Sequence, residues 1–207
     1  MITLALLLLL ALALPLLFVL MFFHIITISF VKLGVPPWAV LLLFGLCLIG
    51  SLINIPVWHE PLSTAGPFYL HPPQVSTPII AVNVGGCLIP LLIALYALRK
   101  APLLKTAIAT ALMIGLAYWL AKPVPGVGIT IPFFIPPIAS AVIALILTRA
   151  RNAAPVAYVS GVFGVLIGAD LLHLSALGTS GVQVISIGGA GVFDGIFLTG
   201  LVAAFLS

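Results

Sequence analysis

The chain has 207 residues, of which 64% are hydrophobic and only 5% are charged. A soluble domain carries about 25% charged residues, so this composition excludes a soluble globular domain with a water-exposed surface. The formal net charge of +4 does not indicate a nucleic-acid partner, because the basic residues lie between apolar segments and form no stripe.

The apolar segments predict an all-α integral membrane protein. They are long and continuous, whereas the strands of a transmembrane barrel alternate over about ten residues. A membrane-spanning helix needs about 20 apolar residues. The predicted spans are residues 2–31, 37–55, 78–98, 102–121, 132–149, 154–175 and 185–206. We therefore expect a single transmembrane domain, residues 1–207, formed by a bundle of about seven helices with glycine- and proline-interrupted segments.

The first span resembles a secretory signal peptide only in being apolar. It lacks a basic segment before the apolar run, and that run is longer than the 7–15 residues typical of signal peptides. The sequence predicts a retained helix, with a kink at Pro15.

The basic residues predict the orientation of the seven spans. Six of them fall on one side of the membrane, namely Lys32, Arg99, Lys100, Lys105, Arg149 and Arg151. Lys122 alone falls on the other side. By the positive-inside rule the side with six is cytoplasmic, which puts the N-terminus outside and the C-terminus in the cytoplasm.

The longest connection, residues 56–77, lies on the outer face in this topology. Its aromatic residues and prolines are typical of a loop on the lipid headgroups. The alternative is a lid over a site.

Two of the three acidic residues, Asp170 and Asp194, lie inside predicted spans, and Glu60 lies in the outer loop. A carboxylate in hydrocarbon costs about 3 kcal/mol or more, which makes it a candidate functional residue. The last two spans are antiparallel neighbours, so the two aspartates are expected at similar depth in the outer half of the membrane. At close range one carboxyl group holds a proton while the other acts as a base, and such a pair activates a water molecule.

A glycine-rich run precedes Asp194. The strand-like segment VQVISI, residues 182–187, leads into Gly188, Gly189 and Gly191, which leave the backbone uncovered. This segment is a candidate for binding substrate backbone by strand addition. Close packing of helices is the alternative for these glycines, and the favoured interpretation for Gly195 and Gly200.

These stretches resemble the intramembrane aspartyl proteases, which include presenilin, signal peptide peptidase and the prepilin peptidases. The shared pattern is an aspartate late in one helix, a strand-like segment, and a Gly-x-Gly-type run before a second aspartate, here in SIGGAGVFDGIFLTG. The resemblance implies that Asp170 and Asp194 form a catalytic dyad. The chain departs from the family pattern in three ways. Val192 and Phe193 separate the glycines from Asp194, Ala169 stands where presenilin-type proteins have tyrosine, and no Pro-Ala-Leu motif follows within the 207 residues.

Most of the chain also resembles an uncharacterised family of archaeal and bacterial multi-pass membrane proteins. The stretches that carry this resemblance are GADLL and GGAGVFDGIFLTG. It implies no particular activity.

A small-solute, ion or proton-coupled transporter or channel is the main alternative to a protease. Interrupted helices and carboxylates at membrane depth are typical of ion and proton sites. Asn54 and Asn83 are further polar candidates for substrate binding, and residues 122–138 are a candidate non-helical segment lining a cavity.

A zinc-type metal site is a third hypothesis, with His173, His59, His71 and Glu60 as candidate ligands on one membrane side. Its segment WHEP is not a His-Glu-x-x-His helix. A scaffold without enzymatic activity also stays open. We expect no cofactor. The expected partners are the lipid bilayer and, for a protease, a transmembrane peptide substrate, and the sequence leaves the oligomeric state open.

Overall fold

The computed structural model describes residues 2–58, 79–124, 128–174 and 184–207. Within these residues the chain forms seven α-helices, which agrees with the predicted helical membrane bundle. They are α1 (Ile2–Lys32), α2 (Pro37–Gly50), α3 (Ile89–Leu98), α4 (Leu103–Leu120), α5 (Ile135–Thr148), α6 (Ala153–Val165) and α7 (Gly195–Leu206). Pro37 is the first residue of α2, and Pro155 lies in the first turn of α6, where a missing N–H does no harm.

Five strands and four short helical segments connect or extend these helices. The strands are β1 (Asn54–Trp58), β2 (Ile79–Asn83), β3 (Lys122–Val124), β4 (Gly128–Thr130) and β5 (Val184–Ile187). Single turns of π-helix occupy Val84–Leu88 and Leu166–Asp170, and 3₁₀ turns occupy Leu171–His173 and Gly191–Phe193.

Three helical stretches are long and apolar enough to cross a bilayer. They are Leu9–Lys32, Leu103–Leu120 and Ala153–His173, the last of which joins α6 to the turns that follow it. The shorter apolar helices run over Pro37–Gly50, Val84–Leu98, Ile135–Thr148 and Gly195–Leu206. A helix of 14 residues is about 21 Å long, less than the roughly 30 Å of a hydrocarbon core. Such helices need additional chain to reach across the membrane.

Strands supply part of that chain, which corrects the prediction that spans 37–55 and 78–98 are helical throughout, whereas the strand-like segment predicted at residues 182–187 is confirmed by β5. Spans 37–55, 78–98 and 185–206 each contain a strand, and these strands form one sheet in the order β1-β2-β5. β1 and β2 are antiparallel, whereas β2 and β5 are parallel, with Ile79 opposite Val184 and Val82 opposite Ile187. The prediction was wrong here because a short apolar run has the same composition in a helix and in a buried strand.

Helix α6 is the centre of the bundle. Nearly all of its residues are buried, because small residues let neighbouring helices approach its backbone. A Cβ on Gly161 would lie 3.0 Å from Thr199 of α7, and one on Gly168 would lie 3.0 Å from Ala117 of α4. Gly200 packs against Tyr158 in the same way, as the sequence interpretation favoured.

Several basic residues meet at one end of the bundle. Lys32 Nζ donates hydrogen bonds to the carbonyl oxygens of Phe205 (2.7 Å) and Ser207 (2.5 Å) at the end of α7. The Lys100 side chain lies against Gly34, and the Tyr96 hydroxyl donates to the Gly34 carbonyl oxygen. Ala101, Ala153 and Ala203 are buried in one apolar cluster at the same end.

Candidate functional site

Asp170 and Asp194 line the same cavity, which has a volume of about 300 Å³ and is called cavity A below. The other walls come from β4, from the whole of β5 and from the glycine turn that follows it. The lining residues are Gly128, Ile129, Leu174, Val184, Ile185, Ser186, Ile187, Gly188, Gly189 and Ala190. The structure therefore places on one cavity two aspartates that are 24 residues apart in the sequence.

Asp170 ends the π-helical turn that extends α6. Such turns are rare and occur often at functional sites, because one extra residue in a turn redirects the side chains around it. The residue is half-buried, and no described residue donates a hydrogen bond to its carboxyl group. Its position is set by Gly168, where a Cβ would overlap the carbonyl oxygen of Ile114 in α4.

Asp194 is the N-cap of α7. It lies nine residues after the start of the predicted last span, and β5 and the glycine-rich turn occupy the residues between. Its Oδ1 accepts a hydrogen bond from the Ile196 N–H (2.9 Å), and its Oδ2 accepts a longer one from the Ala190 N–H (3.4 Å). An aspartate at this position satisfies an unpaired N–H and interacts favourably with the positive end of the helix dipole. The carboxylate is thus held at the helix start while it borders cavity A.

The glycine-rich run forms a tight double turn between β5 and α7. Gly188 and Gly191 have φ angles of +73° and +63°, a region that favours glycine. The Gly189 N–H donates to the Ser186 carbonyl oxygen (3.1 Å), and the Gly191 N–H donates to that of Gly188 (2.9 Å). Gly188 and Gly189 line cavity A, whereas Gly191 packs against Ser51. These glycines are needed for backbone conformation and close packing, and two of them also expose backbone to the cavity.

Asn54 and Asn83 bind each other and the backbone next to cavity A. Asn83 Nδ2 donates to the Ser51 carbonyl oxygen (2.9 Å) and to Asn54 Oδ1 (3.0 Å), and Asn83 Oδ1 accepts from the Gly86 N–H (2.8 Å). The Ser186 hydroxyl, which does line the cavity, donates to Asn54 Oδ1 (2.6 Å). Every polar atom of the Asn83 side chain has a protein partner, so Asn83 joins the π-helical turn of α3 to the sheet.

The candidate metal ligands are not assembled in the part of the chain that the structure describes. His59, Glu60 and His71, with most of the 56–77 connection, lie outside the described residues. His173 Nδ1 donates to the carbonyl oxygen of Ala169 (3.0 Å), and its ring stacks on Tyr118 with centroids 4.7 Å apart. The described residues contain no group of three potential metal ligands.

A second cavity, called cavity B below, lies on another side of Asp194 and has a volume of about 270 Å³. Its walls come from the chain between β4 and α5 and from the start of α7. The lining residues are Ile129, Thr130, Ile131, Pro132, Phe133, Ala190, Phe193, Asp194, Gly195, Leu198 and Thr199. Residues 122–138 were a candidate cavity-lining segment, and their described part does border both cavities without forming a helix before Ile135.

Sequence reasoning missed three parts of the site. The N-cap role of Asp194 had a signal, since an aspartate directly before an apolar helical run is typical of an N-cap. Asn83 followed by Gly85 and Gly86 was a weaker sign of an irregular turn. The pairing of β5 with β2 had no local signal, because the two strands are about a hundred residues apart.

Comparison with known proteins agrees with one of the two resemblances. No curated protein and no solved structure matches the chain. One family profile matches residues 48–206, a range that includes both aspartates, the sheet, the last three residues of α2 and the five helices that follow it. The chain belongs to the family described as "Protein of unknown function (DUF1614)".

Proposed function

We propose that the protein is an intramembrane aspartyl-type peptide hydrolase whose catalytic residues are Asp170 and Asp194. The observation that carries the proposal is the shared cavity, in which the two carboxyl groups of the described chain stand beside an edge strand. Non-helical backbone at membrane depth is stable only where protein buries it or where it lines a water-filled cavity. Cavity A is such a place, and hydrolysis in a membrane requires water there.

The two aspartates differ in surroundings, and this difference assigns their roles. Asp194 accepts two backbone N–H groups, which stabilise a carboxylate, so it acts as the base. Asp170, which no described residue hydrogen-bonds, carries the proton. A water molecule between them attacks the peptide carbonyl carbon, its proton passes to Asp194, and the proton of Asp170 passes to the carbonyl oxygen. Collapse of the tetrahedral intermediate breaks the C–N bond, the proton on Asp194 passes to the leaving amine, and one hydroxyl group of the intermediate returns its proton to Asp170, which restores the starting state.

The substrate is a transmembrane peptide that binds in extended form along β5. Among the described strands, in the order β1-β2-β5, this strand is an edge, and no described strand pairs with its side away from β2, so that side can pair with an added strand. β5 lines cavity A along its whole length, so an added peptide lies beside both carboxyl groups. Cavity B then receives a substrate side chain, and its lining by Ile131, Phe133 and Phe193 favours an apolar one.

The orientation follows from the same seven-helix topology, with the N-terminus outside and the C-terminus in the cytoplasm. Lys32 binds the end of α7, and Lys100 lies against Gly34, so these cations share one end with the C-terminus. An excess of lysine and arginine marks the cytoplasmic end.

Cleavage of a membrane peptide by the purified full-length chain tests the proposal. The protein is reconstituted in liposomes with fluorogenic transmembrane peptides that carry an unstable helix segment, and product is followed by fluorescence and mass spectrometry. We expect Asp170→Asn and Asp194→Asn each to reduce cleavage by at least about 1,000-fold, because neither role can be filled by an amide. Cleavage by either variant at the wild-type rate would exclude the dyad.

Glu60→Gln is the matched control, since Glu60 is the one remaining acidic residue of the chain. The dyad mechanism leaves cleavage unchanged in this variant. If Glu60→Gln abolishes cleavage and a chelator inhibits the wild-type protein, the result would support the metal site in place of the dyad.

A proton-coupled transporter is the second candidate, and a specific observation favours it. Asp194 borders both cavity A and cavity B, so one carboxyl group separates two spaces, as a protonation gate does. Proton flux into liposomes that is lost in Asp194→Asn, with no peptide cleavage by the wild type, would establish this function in place of the hydrolase.

A further inference from the structure

A basic cleft lies at the end of the bundle where α5 joins α6. It is lined by Lys105 in the first turn of α4 and by Leu147, Thr148, Arg149 and Arg151, and has a volume of about 640 Å³. The proposed hydrolase makes no use of it.

The cleft has no countercharge among the described residues. The two described aspartates line cavity A, and the third acidic residue of the chain, Glu60, is predicted on the opposite membrane side. Three cations in one concave surface repel each other, so an anion bound there lowers the free energy of the protein.

The backbone brings the two arginines to the cleft by an unusual turn. Arg149, Ala150 and Asn152 have φ angles of +54°, +62° and +55°, although none is a glycine. Left-handed conformations of this kind are unfavourable for residues with a Cβ, and they cluster at binding and functional sites. The tight connection leaves Arg149 and Arg151 beside Lys105 instead of spread around the bundle.

Apolar side chains extend from the cleft along the membrane-facing surface. On α4, Lys105 is followed at helical spacing by Ile108 and Leu112, which are 43% and 53% exposed. On α5, Val142 and Ile146 precede Arg149 at the same spacing and are also exposed. A polar end and two apolar ridges match an amphiphile with an anionic headgroup and acyl chains.

We propose that this cleft binds the phosphate headgroup of an anionic phospholipid. The guanidinium groups of Arg149 and Arg151 bind phosphate oxygens in pairs, and Lys105 adds a point charge. The acyl chains lie along the ridges of α4 and α5. Basic pockets between helices at the cytoplasmic side are the expected geometry for lipid headgroups.

Lipid binding to the purified full-length chain tests this proposal. The delipidated protein in neutral detergent is titrated with dioleoyl-phosphatidylglycerol, and binding is measured by native mass spectrometry and by the thermal unfolding midpoint. We expect saturable binding that raises the midpoint, with weaker binding at high salt. Each basic residue near a headgroup contributes about fivefold in affinity, so Arg149→Gln/Arg151→Gln should bind about 30-fold more weakly.

Lys122→Gln is the matched control, because it removes one exposed cation from the predicted opposite end of the bundle. It should change affinity by less than about twofold. Lys105 lies in regular helix, so Lys105→Gln is expected to fold and to bind the lipid about fivefold more weakly. This variant keeps the test decisive if the double variant does not fold.

Three results would overturn the proposal. Dioleoyl-phosphatidylcholine binding as tightly as the anionic lipid would show that charge is not recognised. Inorganic phosphate matching the anionic lipid at equal concentration would identify a free-anion site without acyl contacts. Unchanged affinity for the anionic lipid in both Arg149→Gln/Arg151→Gln and Lys105→Gln would show that the lipid does not bind in the cleft.

Discussion

At the scale of single residues, Asp194 combines a structural and a chemical position. Its Oδ1 caps α7 by accepting the Ile196 N–H at 2.9 Å, and the same carboxyl group borders both cavities. A side chain with two tasks gives ambiguous results when it is deleted, because loss of activity then follows from loss of structure as well. Substitutions that separate the two tasks are therefore needed.

We predict that Asp194→Ala lowers the free energy of unfolding by about 1 kcal/mol, whereas Asp194→Asn lowers it by a few tenths. Asparagine caps a helix nearly as well as aspartate, so only the alanine variant leaves the Ile196 N–H unpaired. Thermal unfolding in detergent measures the difference, and both variants should lack cleavage activity. Equal destabilisation by the two substitutions would contradict the capping role.

At the scale of secondary-structure elements, close backbone contacts position the site. α4 and the π-helical turn that follows α6 touch at Gly168, two residues before Asp170. The π-helical turn of α3 meets the turn after β5 where Gly86 faces the Gly188 carbonyl oxygen. Neither contact leaves room for a Cβ, so the glycines determine how closely the elements that carry the aspartates approach each other.

We predict that Gly168→Ala reduces activity by at least about tenfold without unfolding the protein. The added Cβ would overlap the carbonyl oxygen of Ile114 and push the π-helical turn after α6, which carries Asp170, away from α4. Displacement of a catalytic group by about 1 Å typically costs about 100-fold in rate. The measurement is the cleavage rate, with the unfolding midpoint as a check on folding.

Gly115→Ala is the control for this prediction, since no atom lies within 4 Å of a Cβ at that position of α4. It should leave the rate unchanged and raise stability slightly, because alanine is the better helix former. Equal rates for Gly168→Ala and the wild type would show that the helix contact does not position Asp170.

At the scale of the whole molecule, the basic residues are distributed unequally between the two ends of the bundle. Basic residues gather at the end where α1 and α7 finish, and Lys122 lies at the start of β3, directly after α4 has crossed the bundle from that end. The aspartates border cavity A together with β4, which follows on the same side as Lys122. This asymmetry predicts which end of the bundle faces the cytoplasm and which end faces the outside.

We predict that, in intact cells, a membrane-impermeant maleimide labels Lys122→Cys and does not label Arg151→Cys. Both positions are exposed, and the native Cys47 and Cys87 are buried, so background labelling should be low. Permeabilised cells should label both variants, which controls for reactivity. The reverse pattern would place the six basic residues outside and refute the orientation.

The sequence alone determined the membrane class, the approximate positions of the seven helices and the two candidate aspartates. It did so because these depend on local properties: a charge content too low for water, apolar runs of a certain length, and carboxylates within those runs. The hydrogen bond from Ser186 to Asn54 and the register of β2 with β5 join residues more than a hundred positions apart.

Only the tertiary structure decided that spans 37–55 and 78–98 contain strands, that the strand-like segment at residues 182–187 pairs with β2, that Asp194 caps a helix, and that both aspartates border one cavity. An apolar strand and an apolar helix have the same composition, and the choice between them depends on a partner strand supplied by distant chain. The energy of that pairing is absent from any local window, so the cavity it encloses could not be read from the sequence.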